Sequence, residues 1–209
     1  PPYLKLAYLP NPGAVRLRLS AYEVEGESVA REIAERFEAL KEIIPEYVVG
    51  YETATVQELV HGTLTGRGET LATAESCTGG AIAARFTAMA GASAYFRGGV
   101  VAYSNDLKRE VLGVSATELE RFGAVSEPVA RQMAEGVRRL AGSDYAVATT
   151  GIAGPSGGSD EKPVGTVWIA VAGPHGTVAA CRQCGTDRGQ IIDRASAFAI
   201  GMLRDALKR

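Results

Sequence analysis

The sequence has few of the features that mark secreted, membrane-bound or nucleic-acid-binding proteins. It has only three cysteines in 209 residues, too few and odd in number for a disulfide framework. No apolar run is long enough to span a membrane, and no signal-peptide pattern is present. The net charge of −2 creates no basic field that would attract nucleic acid. These absences predict a reduced, cytoplasmic globular protein without membrane or nucleic-acid partners.

Histidine is also scarce, which limits the catalytic groups available. Only His61 and His175 are present, and no local pattern places either beside a nucleophile, so a Ser–His–Asp triad has weak support. Cys181 and Cys184 form a Cys-x-x-Cys pair, but zinc would need two more ligands and a redox pair would open a helix. We interpret this pair as structural and expect neither a metal nor a cofactor.

The sequence does contain an alternation of apolar segments that is typical of an α/β fold. Hydrophobic residues make up 46% of the chain, and many of the 25 glycines cluster in a few loops. Residues 53–209 alternate helix and strand, which predicts a three-layer α/β/α sandwich. A late hairpin around residues 173–176 predicts a mixed, mostly parallel sheet. Residues 1–52 read as strand, strand, helix, strand, which predicts a small α+β (ββαβ) domain in front.

Capping and turn residues predict where the elements begin and end. Ser28 is expected to cap a helix that Pro45 ends, before a strand over residues 47–51. Thr55 and Glu58 form a capping-box pair at the next helix start. Further helices are expected to open at Thr78-Gly79-Gly80, Asn105 and Ser126, with a last one at residues 188–207. The helix after Ser126 is expected to bury Val129, Met133, Val137 and Leu140. Strands are expected at residues 70–74, 96–103, 145–149, 164–171 and 177–181.

The segment Ala74–Gly80 carries the first chemical pattern. Ser76 lies at a strand-to-helix turn with small residues two positions before and after it, a relaxed form of the nucleophile elbow. The backbone N–H groups after it can stabilise an oxyanion or hold a phosphate. The alternative is that Ser76 only caps the helix, since serine is a favoured N-cap. Cys77 is a rival nucleophile, although its side chain is expected to project away if Ser76 faces the site.

A nucleophilic serine needs a base, and lysine is the other common option. Lys108 lies at about the third position of the helix expected to be capped by Asn105, where the helix dipole favours the neutral amine. A partly desolvated lysine there can titrate near neutrality and accept a proton. The alternative is a solvated surface lysine.

A glycine-rich segment over residues 150–158 follows an apolar strand, where open α/β sheets place ligands. It lacks the Gly-Lys-Ser/Thr ending of a P-loop, and no helix follows it directly, so a dinucleotide fingerprint does not fit. It is either a loop that lets backbone approach a small ligand or a flexible connector.

Four separated motifs occur along the chain: residues 73–80, Tyr103-Ser104-Asn105 with Lys108, residues 123–129, and Thr150-Gly151-Ile152-Ala153-Gly154-Pro155 through Trp168. Together and in this order they resemble the CinA C-terminal family. Members of that family are nicotinamide mononucleotide deamidases. The resemblance covers residues 53–209 and implies conversion of nicotinamide mononucleotide to nicotinic acid mononucleotide and ammonia, a step of pyridine nucleotide salvage.

The resemblance also implies a role for each site residue. Ser76 attacks the carboxamide carbon, Lys108 takes the serine proton, and Tyr103 relays or orients that proton. Amides around Cys77 to Gly79 hold the oxyanion, and water hydrolyses the acyl-enzyme without a metal. The residues expected to bind the substrate are Thr78, Gly79, Gly80, Asn105, Thr150, Gly151, Gly154 and Arg188, with Arg188 the candidate phosphate ligand.

Residues 1–52 resemble the small KH-like linking domain of full-length CinA. They contain six basic and nine acidic residues and no Gly-x-x-Gly loop, which argues against RNA binding. The resemblance further implies a homodimer. It also implies that a nucleotide-hydrolysing domain precedes Pro1 in the longer protein.

The sequence departs from the family pattern near its end. The family has an aromatic residue, Gly-Asp-Arg, and an arginine one helical turn later. This chain has Cys184-Gly185-Thr186-Asp187-Arg188, with Ile192 where the later arginine is common. The change leaves open a second interpretation, a nucleotide-binding or regulatory domain that has lost turnover, although the intact Ser76 and Lys108 favour the enzyme.

Overall fold

The computed structural model describes residues 1–11, 14–24, 26–45, 48 and 55–209. The chain divides into two compact units, Pro1–Ala54 and Thr55–Arg209. Among the described helices, none has the length and apolar composition needed to cross a membrane.

The small unit contains a β-hairpin and a helix. Strand β1 (Leu4–Asn11) pairs antiparallel with β2 (Ala14–Ala21), and helix α1 (Glu27–Ile43) follows. The apolar stripe of α1 is half-buried, as the 3.6-residue period of its apolar positions predicts.

The start of α1 differs from the prediction that Ser28 caps it. The helix begins two residues earlier than that prediction, at Glu27, and Gly26 occupies the N-cap with a φ of 121° and no side-chain cap. Glycine adopts this backbone conformation without steric penalty, so it leads the chain into the helix before the serine is reached. Pro45 does follow the helix end. The strand expected over residues 47–51 lies outside the described residues, except for Val48.

The large unit is built on one five-stranded sheet with the order β4-β3-β5-β6-β7. Its strands are β3 (Leu71–Glu75), β4 (Phe96–Val101), β5 (Tyr145–Gly151), β6 (Thr166–Gly173) and β7 (Gly176–Gln183). Strand β3 pairs parallel with β4 and β5, whereas β6 runs antiparallel to β5 and β7. Only β6 therefore opposes the common strand direction, which confirms the mixed, mostly parallel sheet.

Helices cover both faces of this sheet. They are α2 (Val56–Arg67), α3 (Ala81–Thr87), α4 (Asn105–Glu110), α5 (Ala116–Phe122), α6 (Glu127–Ala141) and α7 (Arg188–Ala206). The capping box at the start of α2 is confirmed, with Thr55 and Glu58 each accepting from the other's backbone N–H. Helix α5 was not predicted, although Ser115 caps it by accepting from the Glu118 N–H.

The two faces of the sheet carry side chains of different size. One face presents large residues such as Val147, Ile169 and Val171 to α2, α3 and α7. The other face is mostly alanine and packs against α6; its sheet residues are Ala72, Ala74, Ala146, Ala148, Ala170 and Ala172. The period of two along each strand sends successive side chains to opposite layers. The three-layer α/β/α sandwich is therefore confirmed.

Helix α6 packs on the alanine face and also lies close to the segment that follows α4. A Cβ on Gly136 would lie 1.9 Å from the carbonyl oxygen of Leu112, so only glycine fits there. The predicted stripe is right for Val129, Met133 and Val137 but wrong for Leu140, which is 58% exposed. Ala141 takes the last position against the core instead.

Candidate active site

The carboxyl ends of three parallel strands lie side by side at one edge of the sheet. Strand β3 ends at Glu75, β4 at Val101 and β5 at Gly151. Ser76 follows β3 directly, and its backbone N–H donates to the carbonyl of Thr149 in β5 at 2.9 Å. Ligands of open α/β sheets bind at this edge, so the turn after β3 lies where a small molecule would be expected.

Ser76 and Lys108 meet at this edge. The Lys108 Nζ lies 3.1 Å from Ser76 Oγ, 2.9 Å from the Ala102 carbonyl and 3.4 Å from the Tyr103 carbonyl. Lys108 is 1% exposed and Ser76 is 8% exposed. The sequence alternative of a solvated surface lysine is therefore wrong. Contact with the Ala102 carbonyl could not be foreseen from sequence, because it depends on how the chain turns between β4 and α4.

Burial lowers the pKa of Lys108 below its ordinary value of 10.5. Among residues 55–209, no carboxylate forms an ion pair with its amine. A neutral amine has two N–H donors and one lone pair. Two main-chain carbonyls match the donors, and the Ser76 hydroxyl can donate to the lone pair. The environment therefore suits an uncharged amine beside a serine hydroxyl.

From the sequence, a low pKa of Lys108 was attributed to the dipole of the helix that is now α4, and this explanation is wrong. Ser104, not Asn105, is the N-cap, and its side chain accepts from the Leu107 N–H. The helix is six residues long, so Lys108 also belongs to its last turn, where a dipole favours a cation. Loss of hydration is the cause that remains.

The turn after Ser76 is held from within by Glu75. The Glu75 carboxylate accepts from the Thr78 hydroxyl and from the N–H groups of Gly80, Ile82 and Ala83. The N–H of Gly79 donates to the Ser76 carbonyl at 3.1 Å, which removes it from the expected oxyanion donors. In the described large unit, the N–H groups of Cys77 and Thr78 have no carbonyl or carboxylate acceptor. These two amides are the donors left for an oxyanion.

The rival nucleophile and the two histidines lie elsewhere. Cys77 packs in the core with Cys184, and burial raises its pKa to about 12, so its thiol stays protonated. His61 packs edge-on against the buried Tyr95 ring, with centroids 5.2 Å apart. His175 lies in the β6–β7 turn, at the opposite edge of the sheet from Ser76. Lys108 is the base candidate that the fold brings to the serine.

Arg188 closes the site from a third direction. It is the first residue of α7, which Asp187 caps by accepting from the Gln190 N–H. The guanidinium donates to the Gly154 carbonyl at 2.7 Å and to the Tyr103 hydroxyl at 3.0 Å. The Tyr103 phenol therefore contacts Arg188, while its main-chain carbonyl faces Lys108. Arg188, Tyr103 and the glycine-rich loop are thereby joined.

The CinA C-terminal domain family matches residues 53–207. The chain belongs to the CinA family. A CinA-like protein of Flavobacterium psychrophilum is 43% identical over 97% of this chain and 49% of its own length. One from Anaeromyxobacter dehalogenans is 49% identical over 90% of this chain and 46% of its own length. The chain thus spans about half the length of these curated relatives.

Solved CinA structures are similar to about three quarters of this chain. The competence/damage inducible protein CihA from Agrobacterium tumefaciens is 41% identical with a TM-score of 0.70, covering 77% of this chain and 100% of that one. A CinA superfamily protein from Klebsiella pneumoniae is 39% identical with a TM-score of 0.70, covering 74% and 99%. The α/β/α fold is therefore a property of the CinA family.

The other residues that the family resemblance predicted to bind the substrate divide into two groups. The hydroxyls of Thr78 and Thr150 are engaged within the protein, because Thr78 contacts Glu75 and Thr149 and Thr150 donates to the Ala124 carbonyl. The backbones of Gly79, Gly80, Gly151 and Gly154 and the exposed Asn105 lie around the turns after β3, β4 and β5. A Cβ on Gly151 would lie 2.7 Å from Val167 and 3.0 Å from Cys77 Sγ, so packing alone requires glycine there.

Proposed function

We propose that the unit Thr55–Arg209 is an amidohydrolase that converts nicotinamide mononucleotide to nicotinic acid mononucleotide and ammonia. The observation that carries the proposal is the 3.1 Å contact between Ser76 Oγ and a buried amine that has no carboxylate partner within residues 55–209. Membership of the CinA family and the intact Ser76, Tyr103 and Lys108 support the same reaction.

In the proposed acylation, the neutral Lys108 amine takes the Ser76 proton as Oγ forms a bond to the carboxamide carbon. The carbonyl electron pair moves to oxygen, where the N–H groups of Cys77 and Thr78 stabilise the negative charge. Protonated Lys108 then gives its proton to the leaving nitrogen, the C–N bond breaks, and ammonia departs. This step needs no metal and no cofactor.

Deacylation uses the same groups in the same order. Lys108 takes a proton from water, whose oxygen attacks the acyl carbon and forms a second tetrahedral intermediate. The bond to Ser76 Oγ breaks, and Oγ regains its proton from Lys108. The products are a free serine and a carboxylic acid on the pyridine ring, which releases its proton to solvent and becomes a carboxylate. One base thus serves both half-reactions.

We propose that Arg188 binds the 5′-phosphate. A guanidinium has five N–H donors, and Tyr103 and Gly154 each accept from one. The N–H groups left over can donate to phosphate oxygens. We therefore expect Arg188→Ala to raise the KM for nicotinamide mononucleotide far more than for nicotinamide riboside, which lacks the phosphate. Arg182→Ala, an exposed arginine of β7, is the control and should leave both KM values unchanged.

The test of the activity is ammonia release from nicotinamide mononucleotide by the purified chain. Ser76→Ala should lower turnover by about a thousandfold or more, while its melting temperature stays nearly unchanged. If the natural chain releases no more ammonia than Ser76→Ala does, the deamidase proposal is wrong. Retained binding of the nucleotide would then favour the catalytically silent alternative.

We further propose a cytoplasmic location, which agrees with the three cysteines being free. By analogy with the family, residues 1–52 act as a linking domain, and the protein works as a homodimer. Sedimentation equilibrium of the chain tests the dimer, and a mass of about 22 kDa at all concentrations would contradict it.

A further inference from the structure

Glu75 is a buried carboxylate beside the nucleophile, and the proposed reaction uses it neither as acid nor as base. It is 1% exposed. Its Oε2 accepts from Thr78 Oγ1 at 2.7 Å, Gly80 N at 3.0 Å and Ile82 N at 3.1 Å. Its Oε1 accepts from Ala83 N at 2.8 Å. Within the described unit no arginine or lysine pairs with it, so these hydrogen bonds are what compensate its burial.

The donor and the acceptor in each hydroxyl hydrogen bond around Glu75 can be assigned. A carboxylate only accepts, so the single Thr78 hydroxyl proton points to Glu75. Thr149 Oγ1, 2.7 Å from Thr78 Oγ1, must therefore be the donor in that contact. The main-chain carbonyl of Thr149 also accepts from the Ser76 N–H. Glu75 and Thr149 thus hold the turn at its side chain and at its backbone.

The turn needs such anchoring because its local sequence does not fix it. Gly79 and Gly80 have φ values of +62° and +101°, and glycine moves easily between such conformations. The two amides left for an oxyanion, those of Cys77 and Thr78, lie between Ser76 and these glycines. Their direction therefore depends on contacts made outside the turn.

We propose that Glu75 is a positioning residue: through Thr78 and the first amides of α3, it fixes the turn so that the Cys77 and Thr78 N–H groups meet the developing oxyanion. This inference rests on the proposed serine chemistry. Glu75 touches neither Ser76 Oγ nor Lys108 Nζ among its hydrogen bonds, so it acts only through the backbone.

The test compares Glu75→Gln with Asp144→Asn in the full chain. Glutamine keeps one acceptor oxygen, but its NH2 group would face one of the hydroxyl or N–H donors that now bind the Glu75 carboxylate. We expect kcat to fall on the order of a hundredfold, with KM within about twofold and the pH profile unmoved, because geometry and not the base has changed. Asp144 is the matched control, since its carboxylate accepts from the Thr70 N–H and hydroxyl at the other edge of the sheet. Asp144→Asn should lower the melting temperature without changing kcat.

If Glu75→Gln does not fold, a second pair of variants tests the positioning role of Glu75. Thr78→Val cuts the link between Glu75 and Thr149, and Thr78→Ser restores it. We expect Thr78→Val to lower kcat at least tenfold and Thr78→Ser to recover most of that loss. Equal kcat for the valine and serine variants, a pH profile displaced by Glu75→Gln, or an unchanged kcat in Glu75→Gln would each overturn the proposal.

Labelling of Ser76 by a fluorophosphonate separates this proposal from the choice of substrate. The probe needs the activated serine and the oxyanion donors but no nucleotide. If the natural chain is labelled and releases no ammonia, the substrate is wrong, and the labelling rates of the Glu75 and Thr78 variants test positioning in place of kcat. If Ser76 is not labelled by the fluorophosphonate and the chain releases no ammonia from nicotinamide mononucleotide, the proposed serine chemistry and the positioning role of Glu75 are both overturned.

Discussion

Lys108 determines how the site is understood at the scale of single residues. Lysine is almost never fully buried unless its charge is paired, and this one is 1% exposed with two carbonyls and a hydroxyl around its amine. Carbonyl oxygens compensate an ammonium poorly compared with a carboxylate. From the sequence, the resemblance predicted that Lys108 is the base for Ser76. It did not predict that Lys108 is fully buried, because the residues that surround its amine come from β3, β4 and α4.

Replacing Lys108 by methionine should abolish turnover without unfolding the protein. Lys108→Met removes the base, so we expect kcat to fall by about a thousandfold or more. The melting temperature should change little, because an apolar side chain of similar length avoids burying an amine and offsets the hydrogen bonds lost at Ala102 and Tyr103. Lys208→Met is the control: this exposed lysine follows the end of α7 that is opposite to Arg188, and the variant should keep full activity. Substantial turnover in Lys108→Met would transfer the role of base to another group.

The pH dependence of turnover should follow the lowered pKa of Lys108. Only the neutral amine accepts a proton, so kcat rises as pH passes through that pKa, which lies below 10.5. Cys77 acts against the shift, but burial raises the pKa of its thiol to about 12. The measurement is kcat from pH 6 to 10, and a flat profile from about 6 to 9 would contradict the assignment.

The same pKa predicts the sign of a stability change. Between the folded-state pKa of Lys108 and its unfolded value near 10.5, the unfolded chain binds more protons, so stability rises with pH across that window. The destabilisation is complete below the folded-state pKa and absent above the unfolded one. Wild type should therefore gain melting temperature relative to Lys108→Met as pH increases. A constant difference between the two proteins would show that Lys108 titrates alike in both states.

At the scale of elements, local signals predicted some helix starts and failed at others. The capping box of Thr55 and Glu58 was right because both partners lie in the same turn. The N-caps predicted at Ser28 and Asn105 were wrong because a residue two positions or one position earlier, Gly26 or Ser104, takes the N-cap instead. Several residues in a row satisfied the same preference, and only packing of the helix chooses among them. Helix α5 was missed although Ser115 and Glu118 carried a capping signal.

Two helix glycines should respond in opposite ways to alanine. Gly136→Ala places a Cβ 1.9 Å from the Leu112 carbonyl, which forces α6 away from the segment that follows α4, and should cost about 3 kcal/mol of unfolding free energy. Among the described residues, no atom lies within 4 Å of a Cβ added to Gly201 in α7, so Gly201→Ala should stabilise by about 0.5–1 kcal/mol. Chemical denaturation of both variants measures the difference. Equal effects would show that α6 does not depend on this close approach.

At the scale of the whole molecule, the alternation of helix and strand predicted the layers, but not which residues meet at the site. The fold class follows from periodicity, which each segment carries by itself. The site joins Ser76 after β3, Lys108 after β4 and the loop after β5, with Arg188 reaching it from α7. Such contacts depend on the order of the strands in the sheet. The order β4-β3-β5 places β3 between two strands that follow it in sequence, and no single segment predicts this.

The unit Thr55–Arg209 should carry the whole proposed activity alone. Both core clusters and the contacts of Ser76, Lys108 and Arg188 lie within it. The solved CinA protein from Agrobacterium tumefaciens is matched over 100% of its length by 77% of this chain, so a protein of this extent forms the fold. We expect residues 55–209, expressed separately, to unfold cooperatively and to release ammonia from nicotinamide mononucleotide with kcat and KM within about twofold of the full chain. A folded fragment with lost turnover would instead assign residues 1–54 a part in completing the site.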